Sequence, residues 1–220
     1  MFKAMVELQH KFNEQTIENY LDKNLNWNSA IIAESGELLD SLGYKWWKKQ
    51  EPDMENVKVE AIDLLHFVIS QKIQNVGLEQ TIEGFEYYFT TDEIVKNTSF
   101  IELIDILNYG DYDRFEIMKA IFEQLNMSNE DVYIAYIVKN CLNKFRQDNG
   151  YKDGSYIKDW NGKEDNVIAY EIAKEWGADE DLFEQLYLDL TTYYNEEILQ
   201  GNTIAVLNDI NYKKALETEV

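Results

Sequence analysis

The sequence predicts an all-α protein, and three observations carry that expectation. One proline occurs in 220 residues, so the main helix breaker is nearly absent. The chain is acidic and rich in Leu, Ile, Lys and Glu, residues with good helix propensity. Apolar residues recur at helical spacing along most of its length. A chain this long buries roughly 70% of its extended surface, and the composition, 45% hydrophobic and 14% aromatic, excludes intrinsic disorder.

Taken in order, Met5, Leu8, Phe12 and Ile17 predict a helix over about 3–21. Asn26 or Asn28 caps a helix from about Trp27 to Leu42, with Gly43 as its C-cap. Gln50-Glu51-Pro52-Asp53 reads as a turn. The strongest helix spans about 54–76, through Val57, Ala61, Leu64, Phe67, Val68 and Ile73, and stops at Gly77. Further helices are expected at about 79–89, 99–108, 113–125 and 129–147. Residues 148–162 break the pattern with Asp148-Asn149-Gly150, Asp153-Gly154 and Asn161-Gly162. Helices resume at about 164–176, 179–199 and 203–217. No repeat or low-complexity tract interrupts this, so residues 1–220 read as a single domain.

A net charge of −22 argues against nonspecific binding to nucleic acid or anionic lipid. No 18-residue apolar run is present. The lone Cys141 has no partner for an internal disulfide, which fits a reducing cytoplasm, and its ordinary role is that of a small buried apolar residue.

Two acidic pairs stand out by placement. With 42 acids in the chain, i,i+3 pairs arise by chance about eight times, so spacing alone decides little. On a helix, however, Glu34 and Glu37 share a face with Trp27, Ala30, Ile31 and Leu38. Glu60 and Asp63 share one with Val57, Ala61, Leu64 and Phe67. A linker of about twelve residues makes the two helices antiparallel neighbours. Four inward carboxylates would repel and raise one another's pKa values unless cations offset them. All-oxygen donors suit Mg²⁺ or Mn²⁺. The bland alternative, solvated acidic faces, is about as well supported by placement alone. Asp40 turns away from the stripe and reads as a surface residue.

A second feature lies at about 139–166. From Lys139 to Lys163 there are six basic and three acidic residues, a cationic island in an acidic chain. Lys139, Asn143 and Arg146 share a helix face, and Tyr151 and Lys158 follow in a Gly-rich segment. Such donors suit a di- or triphosphate, whereas a charged surface loop is the plain alternative.

With both features in view, the chain resembles the dimeric all-α dUTPases, within the all-α NTP pyrophosphohydrolases. The resemblance rests on Leu8-Gln9-His10-Lys11-Phe12-Asn13; on Glu34-x-x-Glu37-Leu38 with Tyr44-Lys45-Trp46-Trp47-Lys48; on Glu60-x-x-Asp63-x-x-His66-Phe67; and on two late blocks. These are Lys139-Asn140-x-x-Asn143-x-x-Arg146-Gln147 and Gly150-Tyr151-Lys152-x-Gly154-x-Tyr156-x-Lys158. The acidic pairs mark only the superfamily, and the late blocks are more specific.

The resemblance implies a helical bundle that hydrolyses dUTP to dUMP and pyrophosphate by metal-assisted attack of water on the α-phosphorus, and leaves open whether dUDP is also a substrate. Glu34, Glu37, Glu60 and Asp63 would bind two or more Mg²⁺ ions, with Mn²⁺ as a substitute, and Glu34 or Glu37 would deprotonate the attacking water. Gln9 and Asn13 would read uracil, with Asn143 near the base or sugar, Trp47 against the nucleoside and Phe67 behind the deoxyribose. Lys139, Arg146, Tyr151, Lys152 and Lys158 would hold phosphates. The resemblance further implies a homodimer, while the charge and the lack of a long apolar run lead us to expect no nucleic-acid or membrane partner. Some members carry an acidic residue immediately before the first motif glutamate; here that residue is Ala33, which leaves the base role to Glu34. Two rivals remain: a related enzyme acting on another nucleotide such as dCTP, and a catalytically silent helical binding protein.

Overall fold

The computed structural model describes residues 1–91, 95 and 97–200. Among them are nine α-helices: α1 Phe2–Thr16, α2 Trp27–Ser41, α3 Met54–Val76, α4 Leu78–Thr90, α5 Phe100–Tyr109, α6 Arg114–Gln124, α7 Asn129–Asp148, α8 Asp165–Trp176 and α9 Leu182–Tyr193. Two two-residue strands, β1 Asp159–Trp160 and β2 Lys163–Glu164, pair antiparallel. The expected all-α class is therefore what the chain adopts. The helix expected at 203–217 lies outside the described residues.

The helix starts have local causes. Asn26, rather than Asn28, caps α2 by accepting the Ser29 N–H at 3.1 Å, and Asp53 caps α3 by accepting the Asn56 N–H at 3.1 Å. Ser99 and Glu102 form a reciprocal capping box on α5. At the end of α3, Gly77 takes φ 88°, a conformation that costs a β-carbon residue dearly, and the chain turns at once into α4.

By contact the chain forms two compact units, Met1–Asn140 and Cys141–Val220. In the first, α3 is central. It packs on α1, α2, α4 and α6, with its closest association to α2. Val57, Ala61, Ile62, Leu64, Leu65, Val68, Ile69 and Ile73 are all buried, covering more than one face of the helix. Each large one contributes roughly 1.5–3 kcal/mol relative to exposure. The α2–α3 pairing is the one the sequence predicts, and it brings the acidic motifs together.

The second unit contains α8, α9 and the hairpin, packed around Trp160, Phe145, Tyr156 and Tyr194. The turn between β1 and β2 is Asn161-Gly162, both at positive φ, the geometry this dipeptide favours in tight hairpins. The turn was legible in the sequence; the short strands flanking it were not.

Two boundaries differ from expectation. α1 stops at Thr16, where Ile17 turns extended and Asn19 adopts a left-handed conformation. That reversal folds Tyr20 back into the interior, with its hydroxyl 2.6 Å from His10 Nδ1. α9 begins only at Leu182 and passes into a π-helical turn, Tyr194–Leu199.

Candidate active site

The buried stripe of α2 is Ile31, Ser35 and Leu38. Glu34 lies at its edge, half-buried, and Glu37 is exposed, so the first acidic pair sits on the rim of the apolar face rather than in its centre. The face that α2 presents to α3 is narrower than the periodicity suggests.

Three of the four expected ligands converge. Carboxylate oxygens of Glu34, Glu37 and Glu60 all lie within 4.8 Å of one another. Asp63 stands apart from this trio and forms an ion pair with Lys139 at 2.7 Å. It is still near enough to matter electrostatically. Partial burial and then the charges of Asp63, Glu37 and Glu60 push the Glu34 carboxyl up from 4.5 to about 7, with Lys139 opposing them. Glu60 is raised for the same reasons, burial first, against a hydrogen bond from Asn56. That bond, Asn56 Nδ2 to Glu60 Oε1 at 3.0 Å, comes from an amide that also donates to Ser41 Oγ at 2.7 Å. Asn56 thus ties the start of α3 to the end of α2 beside the carboxylates, a role with no signal in the sequence beyond its spacing from Glu60.

Glu37 and Glu60 border an open cavity of about 410 Å³ that also takes in Gly36, Asp40 and Lys45. Asp40 is held by Lys45 and by Gln50, so it is engaged on the surface as expected. Convergent oxygen donors, two of which (Glu34 and Glu60) have raised proton affinity, fit a hard divalent cation, which would relieve the repulsion among them.

Behind the carboxylates lies a buried polar network. Gln9 Nε2 donates to Asn13 Oδ1 and Ser70 Oγ, both at 3.0 Å, and Asn13 Nδ2 donates to Ser70 Oγ at 3.0 Å. Gln9 Oε1 accepts from the Tyr136 hydroxyl at 2.8 Å and Asn140 Nδ2 at 3.4 Å. His66 Nδ1 lies 2.8 Å from the Ile62 carbonyl and so carries the proton, leaving Nε2 to accept from Asn140 at 3.0 Å. Burial depresses its pKa from 6.5 to about 4, with Asp63 and the Ile62 bond opposing. His66 is therefore a neutral interior residue stacked on Tyr136, not a partner of Asp63. Gln9 and Asn13, the expected base readers, are interior residues engaged by protein groups. Ser70 and Tyr136 escaped sequence reasoning because an interior hydrogen bond leaves no periodic trace, and Asn140 entered it only as part of a motif, with no role.

Trp46 and Trp47 are 89% and 60% exposed and meet edge to face, so neither belongs to the core of this chain. Phe67 is half-buried, 6.2 Å from Trp27.

In the second unit, Arg146 forms a two-point ion pair with the buried Asp165. Tyr151 lies near both Arg146 and Lys158, Lys152 is exposed, and Asn143 is half-buried. Cys141 is buried, and burial pushes its thiol well up, as an inert core residue requires.

No described helix is long and apolar enough to cross a membrane. These features define an all-α protein whose most closely associated helices present a carboxylate cluster beside an open cavity. A family model described as dUTPase matches residues 1–151, and the chain belongs to that family. Its activity is accordingly dUTP hydrolysis, as a dUTP diphosphatase. A comparison with curated proteins finds no match.

Proposed function

We propose that the chain hydrolyses dUTP, and dUDP where it binds, by Mg²⁺-assisted attack of water on the α-phosphorus, breaking the bond to the bridging oxygen and releasing dUMP with pyrophosphate from dUTP or phosphate from dUDP. The observation that supports this most is the convergence of Glu34, Glu37 and Glu60 with Glu34 raised to about 7. Glu34, Glu37, Glu60 and Asp63 would hold the ions. Bound Mg²⁺ supplies charge neutralisation at the phosphate oxygens and lowers the pKa of water.

The chain's own groups do the rest. Glu34, the less exposed of the first acidic pair, takes the proton of the attacking water as general base. Lys139 turns from Asp63 toward phosphate once a cation offsets Asp63. Arg146, Tyr151, Lys152 and Lys158 hold the phosphate chain and balance charge on the departing group. Gln9 and Asn13 read the base by exchanging present partners for the uracil edge, with Asn143 beside it. Trp47 covers the nucleoside and Phe67 backs the deoxyribose. The working form is a homodimer.

That Gln9 and Asn13 are engaged internally keeps a second reading in view, a sister specificity such as dCTP on the same carboxylates. Glu34→Gln tests the chemistry: turnover should fall at least about a thousandfold while the fold is kept. Retention of most of the turnover number would exclude Glu34 as the base. A nucleotide panel separates the two specificities.

A further inference from the structure

Asp165 is the first residue of α8 and 0% exposed. Its carboxylate accepts four hydrogen bonds. Arg146 Nε reaches Oδ2 at 2.8 Å and Arg146 Nη2 reaches Oδ1 at 2.6 Å. The Tyr156 hydroxyl donates to Oδ2 at 2.7 Å, and the Asn166 N–H donates to Oδ1 at 2.8 Å. Both oxygens are thus doubly occupied, and the guanidinium is held in plane by a two-point contact. Two of its five N–H donors are engaged there, which leaves three for a ligand.

The backbone of the same residue acts on a second cation. The Asp165 N–H donates to the Lys158 carbonyl at 3.0 Å. Arg146 and Lys158 then flank one ring: the guanidinium carbon is 5.9 Å and the Lys158 ammonium 6.0 Å from the centre of Tyr151, which is 48% exposed. The loop carrying Tyr151 is itself fixed. Its N–H donates to the Arg146 carbonyl at 2.9 Å, and Gly150 takes φ 89° where a Cβ would overlap Ser155 Oγ.

We propose that Asp165 is a positioning residue for phosphate recognition, seating Arg146 through its carboxylate and Lys158 through its N–H so that both cations meet a pyrophosphate group beside Tyr151. Asp165, Tyr156 and Lys158 all lie beyond residue 151, where the family match ends. The inference rests on the reading of Arg146 as a phosphate ligand. Asp165 touches no substrate and acts only through the two cations. A buried ion pair is in itself weak evidence of stabilisation, whereas a fixed, partly unengaged guanidinium has a use in recognition.

The test is a double-mutant cycle in the full chain. Inorganic pyrophosphate with Mg²⁺ is titrated by calorimetry into wild type, Arg146→Ala, Asp165→Asn and the double variant, and dUTP kinetics are run in parallel. Asp165→Asn should weaken pyrophosphate binding and raise KM for dUTP about tenfold, with a smaller change in kcat, since misplaced binding groups cost about that much or more. The double variant should be no worse than Arg146→Ala. Tyr156→Phe removes one bond from Asp165 and leaves the ion pair, so it should fold normally and lose about two- to threefold in pyrophosphate affinity. Its binding result stands even where Asp165→Asn fails to fold. A lowered Tm with pyrophosphate affinity and KM unchanged, or losses that add across the cycle, would overturn the proposal. Because calorimetry needs no turnover, a wild type that binds pyrophosphate but cleaves no dUTP would refute the substrate reading and leave this result standing.

Discussion

Glu34→Gln should stabilise the metal-free protein, and should do so only above a defined pH. In the fold, partial burial and three neighbouring carboxylates raise Glu34 from 4.5 to about 7. Between those values the folded protein binds the proton more tightly than the unfolded chain, so stability falls as pH rises through the window. The full penalty applies above about pH 7. At about 1.4 kcal/mol per pH unit the ceiling is about 3 kcal/mol, and solvent screening at this half-exposed position reduces it to about 1–2 kcal/mol. For a chain of this size that corresponds to about 2–8 °C in Tm. Thermal melts of both proteins in EDTA, from pH 5 to 8, measure it. The variant should match wild type at pH 5 and pull ahead as pH rises. A pH-independent gap, or a variant less stable than wild type at pH 8, would refute the electrostatic reasoning.

Four further outcomes follow from the same geometry. Saturating Mg²⁺ should stabilise the wild type by about 3 kcal/mol at a hundredfold excess over Kd, read as a raised Tm, and the gain should shrink in Glu34→Gln; equal gains in the two would contradict the site. Lys139→Met leaves Asp63 without its cation and should cost about 1 kcal/mol in EDTA, recovered on adding Mg²⁺, as urea melts with and without the ion would reveal. Ser70→Ala strips an acceptor from both the Gln9 and Asn13 amides and should cost about 1–3 kcal/mol in urea unfolding; a neutral substitution would mean the network rearranges freely. A ring-proton NMR titration should place the His66 midpoint near 4. Because the unfolded residue titrates near 6.5, this residue's contribution is lost as pH falls from about 6.5 toward 4, and a midpoint above 6 would contradict a neutral, buried His66.

What was legible in the sequence was what has a period or a cap. α3 was found within a residue at each end because its apolar positions repeat and Asp53 and Gly77 punctuate it. The α2–α3 association followed from the short linker, and with it the meeting of Glu34, Glu37 and Glu60. The failures share a cause. The end of α1 depends on Tyr20 returning to His10, a tertiary contact that overrides local propensity. Glu37 was placed on the apolar face by periodicity, yet it is exposed because α3 covers a narrower arc of α2. Asp165, the second of two adjacent acids at the start of an expected helix, gave no sign that it would be buried under Arg146 and Tyr156. Long-range polar contacts such as Gln9 with Tyr136 carry no sequence spacing that could announce them.

The central claim is Mg²⁺-dependent hydrolysis selective for the deoxyuridine nucleotide. The most direct measurement is a hydrolysis assay that resolves phosphate from pyrophosphate, with dUTP, dUDP, dCTP, dTTP and UTP, each in Mg²⁺ and in EDTA. The account predicts dUMP and pyrophosphate from dUTP in Mg²⁺, slow turnover of UTP and dCTP, and none in EDTA. Cleavage of dUTP that persists in EDTA, or preference for dCTP, would contradict it.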